Sequence, residues 1–546
     1  MSSFIIIIFL ASFMLVTGIV CFRSYIWWTQ DRNEPPVLGA SIPFLTTVLG
    51  IMRQRTNFMV QLRNKNPHVP IYTLRLPGSR IYVINSASLI PLIQRQKNVI
   101  IFDPIPAQAA ANIFGVSKAG MDLINRRHTG DESYFDAFLR ASHPSLAPGT
   151  GLDSISRAAA KVLEASMDKL EDMEGTIKMD LWKWVRHEIF FATTEAIYGP
   201  LNPFRCAANE DAWYDFEEGM MRLQMQVQNL SPRGRSSLQA RESLVQAFCR
   251  YYEEGHHRIP DVPSMCLVKA CYKYKASRGL SLEDMARTEL GHVAACVSNT
   301  IPGAFWMLWH VFSDPIVLAD CRAEIEQLVT VNTVRQKRSD GQVFETEVHT
   351  IDLSNLARRQ TCPVITSTWY EVLRYNHVGI SARVVTKDTL LDGYLLKKGS
   401  TAMIVSPVIH SDVSAWGPSA GEFQHRRFTQ NNGYNDTRKR ADNINPEKGP
   451  ANRIFGGGSS LCPGRHFASQ EILSLLALTI MRFDLHPING QQWILPKKYI
   501  PLPTALPIPQ FISSDALKFE MVARYSGRQW RVVFGNQRIS KSQNVV

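Results

Sequence analysis

The chain has 546 residues, a formal net charge of +12, 45% hydrophobic and 10% aromatic residues, and only 9 cysteines. It is too apolar for a disordered protein, and it lacks the glycine period of collagen and the cysteine density of a disulfide scaffold. The basic excess is dispersed along the chain, so it does not predict a nucleic-acid-binding face. Scattered cysteines without a C-x-x-C pair fit a reducing compartment.

The first predicted element is an apolar helix at the N-terminus. No charge occurs in Phe4–Phe22, and a stretch of this length suffices to cross the hydrocarbon core of a bilayer. A cleaved signal peptide fits less well, because no basic segment precedes the stretch and no small-residue cleavage motif follows it. Arg23 and Arg32 follow the span, and the positive-inside rule then predicts a cytosolic body. We therefore expect residues 1–29 to anchor residues 30–546 to a membrane by a single pass.

Short strands are predicted after the anchor, and a long helical region follows them. The β-like runs Ile71–Leu76 and Arg80–Ile84 are separated by a Pro-Gly turn signal. Residues 155–330 have apolar positions every three or four residues, which predicts helices. Clear strand signals return only at Gly379–Val385 and Thr389–Tyr394. No linker divides this region, so we expect one large, mainly α body with small β-sheets.

The strongest functional signal is a glycine-rich segment that leads into a cysteine. Residues 455–465 read FGGGSSLCPGR, and a helical pattern follows them. Glycine allows close approach of the backbone, and a thiol near a helix N-terminus is biased towards the thiolate, which would suit a heme iron. The spacing does not match the dinucleotide-binding, phosphate-loop or nucleophile-elbow motifs. A buried structural cysteine is the remaining alternative.

This segment resembles the heme-binding loop of the cytochrome P-450 superfamily, F-x-x-G-x-x-x-C-x-G. The resemblance implies that Cys462 is the proximal ligand of the iron of heme b and that Phe455 shields its sulfur. It also implies that Gly458 and Gly464 permit a tight loop. The expected structure is the cytochrome P-450 fold, with a single large heme domain behind an N-terminal transmembrane helix.

A charged triad also resembles the family in order and spacing. Glu371 and Arg374 lie at i and i+3 of a predicted helix, so they share one face and can pair. Alone, this E-x-x-R pair is weak, because surface helices carry many such pairs. Its position before the cysteine and the arginine at Arg427 make it similar to the structural triad of the family. The resemblance implies that the triad holds the cysteine loop and takes no part in catalysis.

The residues that would bind the heme propionates follow the family pattern only in part. Arg383 matches a position that commonly binds a propionate, and arginine suits charge-assisted pairing with a carboxylate. The helix that usually binds a propionate through W-x-x-x-R has no tryptophan here. Arg140 or His143 could bind the propionate in its place. The usual arginine two residues before the cysteine is Ser460.

A long helix over Leu282–Trp309, with a capping signal at its start, is predicted to cross the distal heme face. The usual family pattern is A/G-G-x-D/E-T. In this chain Ser298 occupies the position of the acid, and Asn299 occupies the position of the threonine. The family's acid–alcohol pair relays protons to dioxygen, so Ser298, Asn299 and Thr300 are the catalytic candidates, although none is a comparable acid. Pro302 is expected to kink the helix and to free a carbonyl.

The N-T-I-P-x-x-F-W run narrows the resemblance to the branch of cholesterol and oxysterol 7α-hydroxylases and prostacyclin synthase. It implies a monooxygenase of the endoplasmic reticulum membrane that acts on a sterol-like or terpenoid specialised metabolite. The implied cofactors are heme, O2 and NADPH, with electrons delivered by an NADPH-cytochrome P-450 reductase and with cytochrome b5 as a further candidate partner. Because the branch also contains an isomerase that needs no electron donor, a heme-thiolate isomerase or dehydratase stays open. A heme-free membrane binding protein is the third alternative.

Overall fold

The computed structural model describes most of the chain beyond the predicted anchor. The described residues are 13–14, 17–18, 20–21, 24–25, 28–39, 44–126, 132–173, 175–337, 343–429, 449–490, 492–499, 504–510, 518–525 and 528–534. Most of the predicted anchor Phe4–Phe22 lies outside these residues. Within them, no helix combines the length and the apolar character needed to cross a membrane. The division of the chain into an anchor over 1–29 and a body over 30–546 stays a prediction.

Helices make up most of the described structure, and the strands are short, which confirms the expected mainly α class with small sheets. The helices are α1 Leu45–Gln54, α2 Thr56–Lys65, α3 Ile90–Arg95, α4 Pro104–Asn112, α5 Lys118–Asn125, α6 Tyr134–Leu146, α7 Thr150–Glu171, α8 Leu181–Tyr198, α9 Ala207–Gln224, α10 Pro232–Glu253, α11 Cys266–Ser277, α12 Leu282–Val297, α13 Thr300–Phe312, α14 Pro315–Glu326, α15 Pro363–Asn376, α16 Ser406–His410, α17 Val413–Trp416 and α18 Arg465–Arg482. The strands are β1 Ile71–Leu76, β2 Ser79–Ile84, β3 Ile100–Ile101, β4 Ile177–Asp180, β5 Val329–Lys337, β6 Val343–Asp352, β7 Ile380–Val385, β8 Thr389–Leu391, β9 Tyr394–Leu396, β10 Thr401–Val405, β11 Phe483–Pro487, β12 Lys497–Tyr499, β13 Ile508–Gln510, β14 Lys518–Ala523 and β15 Gln529–Val533.

The chain divides into two compact units, of which the first is built on a mixed sheet. This unit takes its described residues from 1–106, 377–422 and 441–461. Its five strands lie in the order β1-β2-β10-β7-β3, with β2 and β10 parallel and the other neighbours antiparallel. The predicted strands β1 and β2 pair as a hairpin around the Pro-Gly turn, with Ile71 opposite Ile84. The sequence prediction of this hairpin is therefore confirmed.

Alternation along the strands fills both faces of this sheet. On β1, Ile71 and Tyr72 are fully buried in two different apolar clusters, because successive side chains point to opposite faces. Phe58 of α2 packs in one cluster and Ile93 of α3 in the other. Each buried side chain of this kind contributes about 1.5–3 kcal/mol, which fixes the register of the strands. Side chains on β7 alternate in the same way, so Arg383 lies on the face of the sheet that packs against α3.

The run Thr389–Tyr394 is not the single strand that the sequence predicted. β8 ends at Leu391 and β9 begins at Tyr394, so the two strands form a hairpin. The turn residues Asp392 and Gly393 both have positive φ, at 50° and 84°. An Asp-Gly pair with two positive φ values is the preferred two-residue hairpin turn. The turn signal therefore outweighs the β-like pattern on either side of it.

The second unit is mainly helical, and it takes its described residues from 107–376, 423–440 and 462–546. The prediction of helices over 155–330 is confirmed, since α7 to α14 occupy most of that range. Every residue of α13 is buried, and the Trp306 indole donates a hydrogen bond to the Pro507 carbonyl at 2.7 Å. A helix that is apolar on all sides belongs in the centre of a large core.

The strands β5 and β6 are absent from the sequence prediction, which placed the next clear strands only at Gly379. They form an antiparallel hairpin, and β6 also pairs in parallel with β15. Only the first four residues of β5 alternate between apolar and polar, and the strand lies at a sheet edge, where Val331 is 53% exposed. A weakly apolar edge strand gives a weak local signal, and the pairing of β6 with the C-terminal strand β15 is a long-range contact.

The long helix predicted over Leu282–Trp309 is interrupted in the structure. It begins at Leu282, where the Ser281 hydroxyl accepts a hydrogen bond from the Asp284 N–H at 3.1 Å, which confirms the predicted cap. The regular helix stops at Val297 and resumes at Thr300. Pro302 has no N–H to donate to the carbonyl four residues before it, so the break at residues 298–299 confirms the predicted kink.

Candidate active site

Cys462 lies in a half-buried turn just before α18. The backbone N–H groups of Gly464 and Arg465 face its sulfur, and the Arg465 guanidinium donates to the Cys462 carbonyl at 3.0 Å. Burial raises the pKa of the Cys462 thiol, the two N–H groups lower it, and the nearby Cys296 thiol raises it again, with a net upward shift. A thiol in this setting keeps its proton when alone, and a bound metal cation would release it.

The glycines before the cysteine adopt conformations that other residues rarely allow. Gly456 has a φ of 77°, and a Cβ there would lie 2.6 Å from the Ser460 carbonyl oxygen; Gly458 has a φ of 61°. Gly464 differs, because its φ is −82° and an added Cβ would meet no described atom within 4 Å. The open space at Gly464 leaves room for a ligand beside the cysteine. Phe455 is half-buried, and its predicted shielding of the sulfur stays a prediction.

Two arginines of the first unit are buried and have no anion beside them among the described residues. Arg383 is 1% exposed and donates to the hydroxyls of Ser459 and Ser460 at 3.2 and 3.0 Å. Its Nε has no hydrogen-bond partner among the described residues, and neither has Nη2 of Arg453, which is 4% exposed. Burial lowers the pKa of both guanidiniums, that of Arg453 to about 10 with a contribution from the Arg383 charge. Buried cations require anions, so this pair indicates a carboxylate or phosphate on a ligand.

Sequence reasoning singled out Arg383 but missed Arg453. The two substitutes that it offered lie on α6 and are not buried: the Arg140 side chain is 76% exposed and pairs with Glu132, and His143 is exposed. Neither therefore provides a buried cation. Arg453 stands two residues before Phe455, so its position beside the glycine motif is the signal that could have found it.

Glu371 and two arginines form a buried ion cluster in the second unit. Arg374 donates from Nε and Nη2 to the two carboxylate oxygens at 2.8 Å each, and Arg427 Nε lies 3.0 Å from both. The Gln424 N–H adds a hydrogen bond at 2.9 Å, and Glu371 itself is 0% exposed. The structure thus brings the three residues together and ties α15 to the segment around Arg427. Their influence on the cysteine loop stays a prediction.

Ser298, at the break between α12 and α13, is bonded to a carboxylate from another helix. Its hydroxyl donates to Oε1 of Glu217 on α9 at 2.6 Å. Glu217 is mostly buried, with 17% of its side chain exposed, and Arg186 of α8 approaches it at 3.8 Å. Burial raises the pKa of the Glu217 carboxyl, and the Ser298 hydrogen bond and the Arg186 charge oppose this shift only in part. Glu217 belongs to no sequence motif, and sequence reasoning missed it.

Asn299 and Thr300 are each engaged within the protein. The Asn299 Oδ1 atom accepts from the Ala505 N–H at 2.7 Å, and the Thr300 hydroxyl donates to the Cys296 carbonyl at 2.6 Å. Thr300 is buried, whereas Ala295, in the turn before the break, is exposed although Val293 and Val297 on either side of it are buried. Of the three catalytic candidates, Ser298 is therefore the one that contacts an acid. The helix presents an open face at Ala295.

In the second unit, backbone N–H groups face the sulfur of Cys462. In the first unit, Arg383 and Arg453 are buried and have no anion beside them among the described residues. A sulfur of this kind suits an iron ligand, and guanidiniums suit propionates. The sequence comparisons assign the family. A sequence model of the Cytochrome P450 family matches residues 35–508, so the chain belongs to the cytochrome P450 family, and relatives that it matches over most of their length are named as monooxygenases, which are oxidoreductases that incorporate oxygen. The resemblance drawn from the cysteine motif is thereby confirmed.

Named relatives and a solved structure agree with this assignment. The chain is 34% identical over 471 residues to the cytochrome P450 monooxygenase nodJ of Hypoxylon pulicicidum, with 86% of each protein covered. It is 31% identical over 220 residues to the cholesterol 7-alpha-monooxygenase of Cricetulus griseus, which covers 38% of this chain and 40% of that protein. The structure of retinoic acid-bound cyanobacterial CYP120A1 matches with a TM-score of 0.65 and 16% identity, over 90% of this chain and 100% of that chain, and shows the shared fold.

Proposed function

We propose that this chain is a membrane-bound heme-thiolate monooxygenase that oxidises an apolar, sterol-like or terpenoid substrate. The observation that carries the proposal is the sulfur of Cys462, which faces the N–H groups of Gly464 and Arg465. A heme bound here would activate dioxygen, with Cys462 as the ligand of its iron. Arg383 and Arg453 would hold its propionate groups, because both are buried cations without an anion among the described residues.

The protein residues would prepare this site in three ways. The N–H groups of Gly464 and Arg465 stabilise negative charge on the sulfur. The open face of α12 at Ala295 gives space for small molecules beside the helix. The buried helix α13 excludes water from the region that follows the break. Together they provide a charged ligand, room for a substrate and a dry surrounding.

The sterol-like substrate rests on the family branch. The Cricetulus griseus relative is named for the 7-alpha oxidation of cholesterol, and the N-T-I-P run and the asparagine at Asn299 resemble the same branch. The terpenoid alternative and the place in specialised metabolism rest on that resemblance alone. A panel of sterols and terpenoids, screened by the spectral shift that each causes on binding to the purified protein, would decide between the two classes.

The electron supply and the location follow from the family and from the N-terminus. Electrons from NADPH would arrive through a cytochrome P-450 reductase, with cytochrome b5 as a further donor, and the net charge of +12 suits an acidic partner or a membrane surface. The apolar stretch Phe4–Phe22 would hold the protein in the endoplasmic reticulum membrane, with the body in the cytosol. Cell fractionation of the full chain and of a variant that lacks residues 1–29 tests this; equal solubility would contradict it.

The iron ligand is tested by Cys462→Ala. The reduced, CO-treated wild-type protein should show the red-shifted Soret band of a thiolate-ligated heme, and the variant should lose it because no thiolate remains. Cys266→Ala is the matched control, since Cys266 is a half-buried cysteine on α11. A band that survives in Cys462→Ala would refute the assignment of the ligand.

The reaction type is tested with labelled dioxygen. In the presence of reductase and NADPH, the product should carry one labelled oxygen atom, and turnover should stop when either is removed. Turnover without electrons would favour the isomerase or dehydratase instead. The departure at Ser298 and Asn299 makes this control necessary, because neither residue is an acid.

A further inference from the structure

An acid reaches the break in the distal helix from a separate element. Between Leu290 and Phe312 the sequence contains no aspartate or glutamate. Glu217 of α9 brings an acidic group to this part of the helix, since its Oε1 accepts a hydrogen bond from the Ser298 hydroxyl at 2.6 Å. Ser298 lies three residues after the open position Ala295, and residues at i and i+3 share one side of a helix. Ser298, directly after the last residue of α12, thus connects the Glu217 carboxyl to the helical turn that contains the exposed position Ala295.

The surroundings of Glu217 differ from those of a structural ion pair. Arg186 approaches at 3.8 Å, which is too far for a hydrogen bond, and its guanidinium lies over the Tyr214 ring at 3.3 Å from the centroid. The other acidic groups near that guanidinium are Glu210 and Glu218, both on α9. Among the described residues, Glu217 therefore has one hydroxyl donor and one loosely placed cation, and 17% of its side chain remains exposed.

We propose that Glu217 supplies protons to the active site through the hydroxyl of Ser298. The inference rests on the proposed monooxygenase function, in which each turnover consumes one dioxygen, two electrons from the reductase and two protons, and forms one water. The bond in which Ser298 donates to Glu217 belongs to the carboxylate; once protonated, the Glu217 carboxyl donates to Ser298 Oγ instead. Its proton then passes to Ser298 Oγ while the Ser298 hydroxyl gives its own proton to a water molecule in the site. The carboxylate that remains recovers a proton from solvent through its exposed side.

The ionisation of Glu217 suits this task. Burial raises the pKa of its carboxyl, so Glu217 keeps its proton up to a higher pH than an exposed glutamate does. The Arg186 charge lowers the pKa and stabilises the carboxylate once the proton has left. A carboxyl that both holds and releases a proton is what a relay requires.

A purely structural tie between α9 and the helix break is the competing explanation. Glu217→Gln separates the two, because the amide oxygen still accepts the Ser298 hydrogen bond but the amide cannot exchange a proton. Glu210→Gln is the matched control, since Glu210 lies on the same helix and contacts Tyr214 and His187 at 2.6 and 2.9 Å. If Glu217 had only a structural role, Glu217→Gln and Glu210→Gln would show the same coupling between NADPH consumption and product formation and the same pH profile.

The first readout is infrared difference spectroscopy of the resting holoenzyme across a pH titration. A carbonyl band of a protonated carboxyl should vanish in Glu217→Gln, remain in Glu210→Gln and shift in Ser298→Ala, because the hydrogen bond is lost. This measurement needs no turnover and no identified substrate. The absence of a band specific to Glu217 at every pH would overturn the proposal.

The second readout is coupling during turnover. Glu217→Gln should form product on the order of 10²-fold more slowly and release more hydrogen peroxide per NADPH, with a larger solvent isotope effect and a changed pH profile. Ser298→Asp in the Glu217→Gln background should restore coupling, because it places an acid at the break itself. Unchanged coupling and an unchanged pH profile in Glu217→Gln would overturn the relay.

The outcomes also separate this proposal from the proposed function. If Glu217→Gln keeps the CO-bound thiolate spectrum and the substrate-induced shift while its coupling is unchanged, the relay fails and the monooxygenase stands. If the wild-type protein itself lacks the thiolate spectrum, the proposed function fails, and the infrared titration still decides whether Glu217 holds a proton.

Discussion

Two carboxylates in the second unit, Glu289 and Glu471, are equally buried but differ in their partners. Glu289 is 0% exposed and Glu471 is 2% exposed. Four side chains surround the carboxylate of Glu289: Lys275, His292 at 3.0 Å, and Tyr198 and Tyr252 at 2.8 Å each. Glu471 receives only the hydroxyl of Thr193 at 2.8 Å, and its Oε2 has no partner among the described residues.

The partners decide which of the two is charged. Burial alone would raise the pKa of Glu289, but the Lys275 ammonium and the His292 ring outweigh it and lower the pKa below its usual value. At Glu471, burial raises the pKa to about 8, and the Thr193 hydrogen bond opposes this only in part. The burial of a carboxyl therefore does not by itself predict whether it is ionised, because the cations and hydrogen-bond donors around it also shift its pKa. Glu217, with one hydroxyl and a distant guanidinium, is closer to the second case.

The largest effect is expected when Glu289 loses its cation. Lys275→Met leaves a buried carboxylate without its counter-charge, and breaking one side of a buried pair costs about 3–5 kcal/mol. The free energy of unfolding from denaturant titration, or the melting temperature, measures the loss. Lys269→Met is the control on the same helix, because Lys269 donates to the Ile259 carbonyl and, within the described part of the chain, to no carboxylate. Equal losses in both variants would show that Glu289 does not depend on Lys275.

The contacts that the sequence could predict are those set by local spacing. The cap at Ser281, the i, i+3 pair of Glu371 and Arg374, and the turn before Cys462 all follow from neighbouring residues. Most helices from α7 to α14 follow from their apolar period. Residues that are close in sequence are also close in space within a helix or turn, so these contacts could be predicted from the sequence alone.

The remaining contacts depend on how distant elements pack. Glu217 meets Ser298 across 81 positions of sequence, and Lys275 meets Glu289 from a neighbouring helix. Neither has a periodic signal, because a buried charge is permitted only by partners that the tertiary fold supplies. Arg453 is similar, since its place beside the glycine motif could single out the residue, but only the fold shows that its guanidinium is buried.

A smaller loss is expected when Glu289 loses one hydroxyl. Tyr252→Phe removes a hydrogen bond to a charged group, which contributes about 1.5–3 kcal/mol. Tyr251→Phe is the matched control, because the Tyr251 hydroxyl donates at 2.9 Å to the neutral carbonyl of Tyr198. Denaturant titration at neutral pH should show the greater loss in Tyr252→Phe. The reverse order would mean that the charge of Glu289 does not strengthen its hydrogen bonds.

The smallest effect is expected at Glu471, and it is a change in pH dependence. Its folded-state pKa of about 8 lies above the usual 4.5, so between these values the folded protein holds a proton that the unfolded chain has lost. Its contribution is fully present below pH 4.5 and is lost as the pH rises, by at most about 1.4 kcal/mol between pH 6 and pH 7. The lowered pKa of Glu289 gives the opposite sign, with stability lost as the pH falls. Glu471→Gln cannot ionise, so its unfolding free energy should decline less over this interval than that of the wild type. Parallel pH profiles for the two proteins would show that Glu471 is already charged, and that burial with one donor suffices to hold a carboxylate.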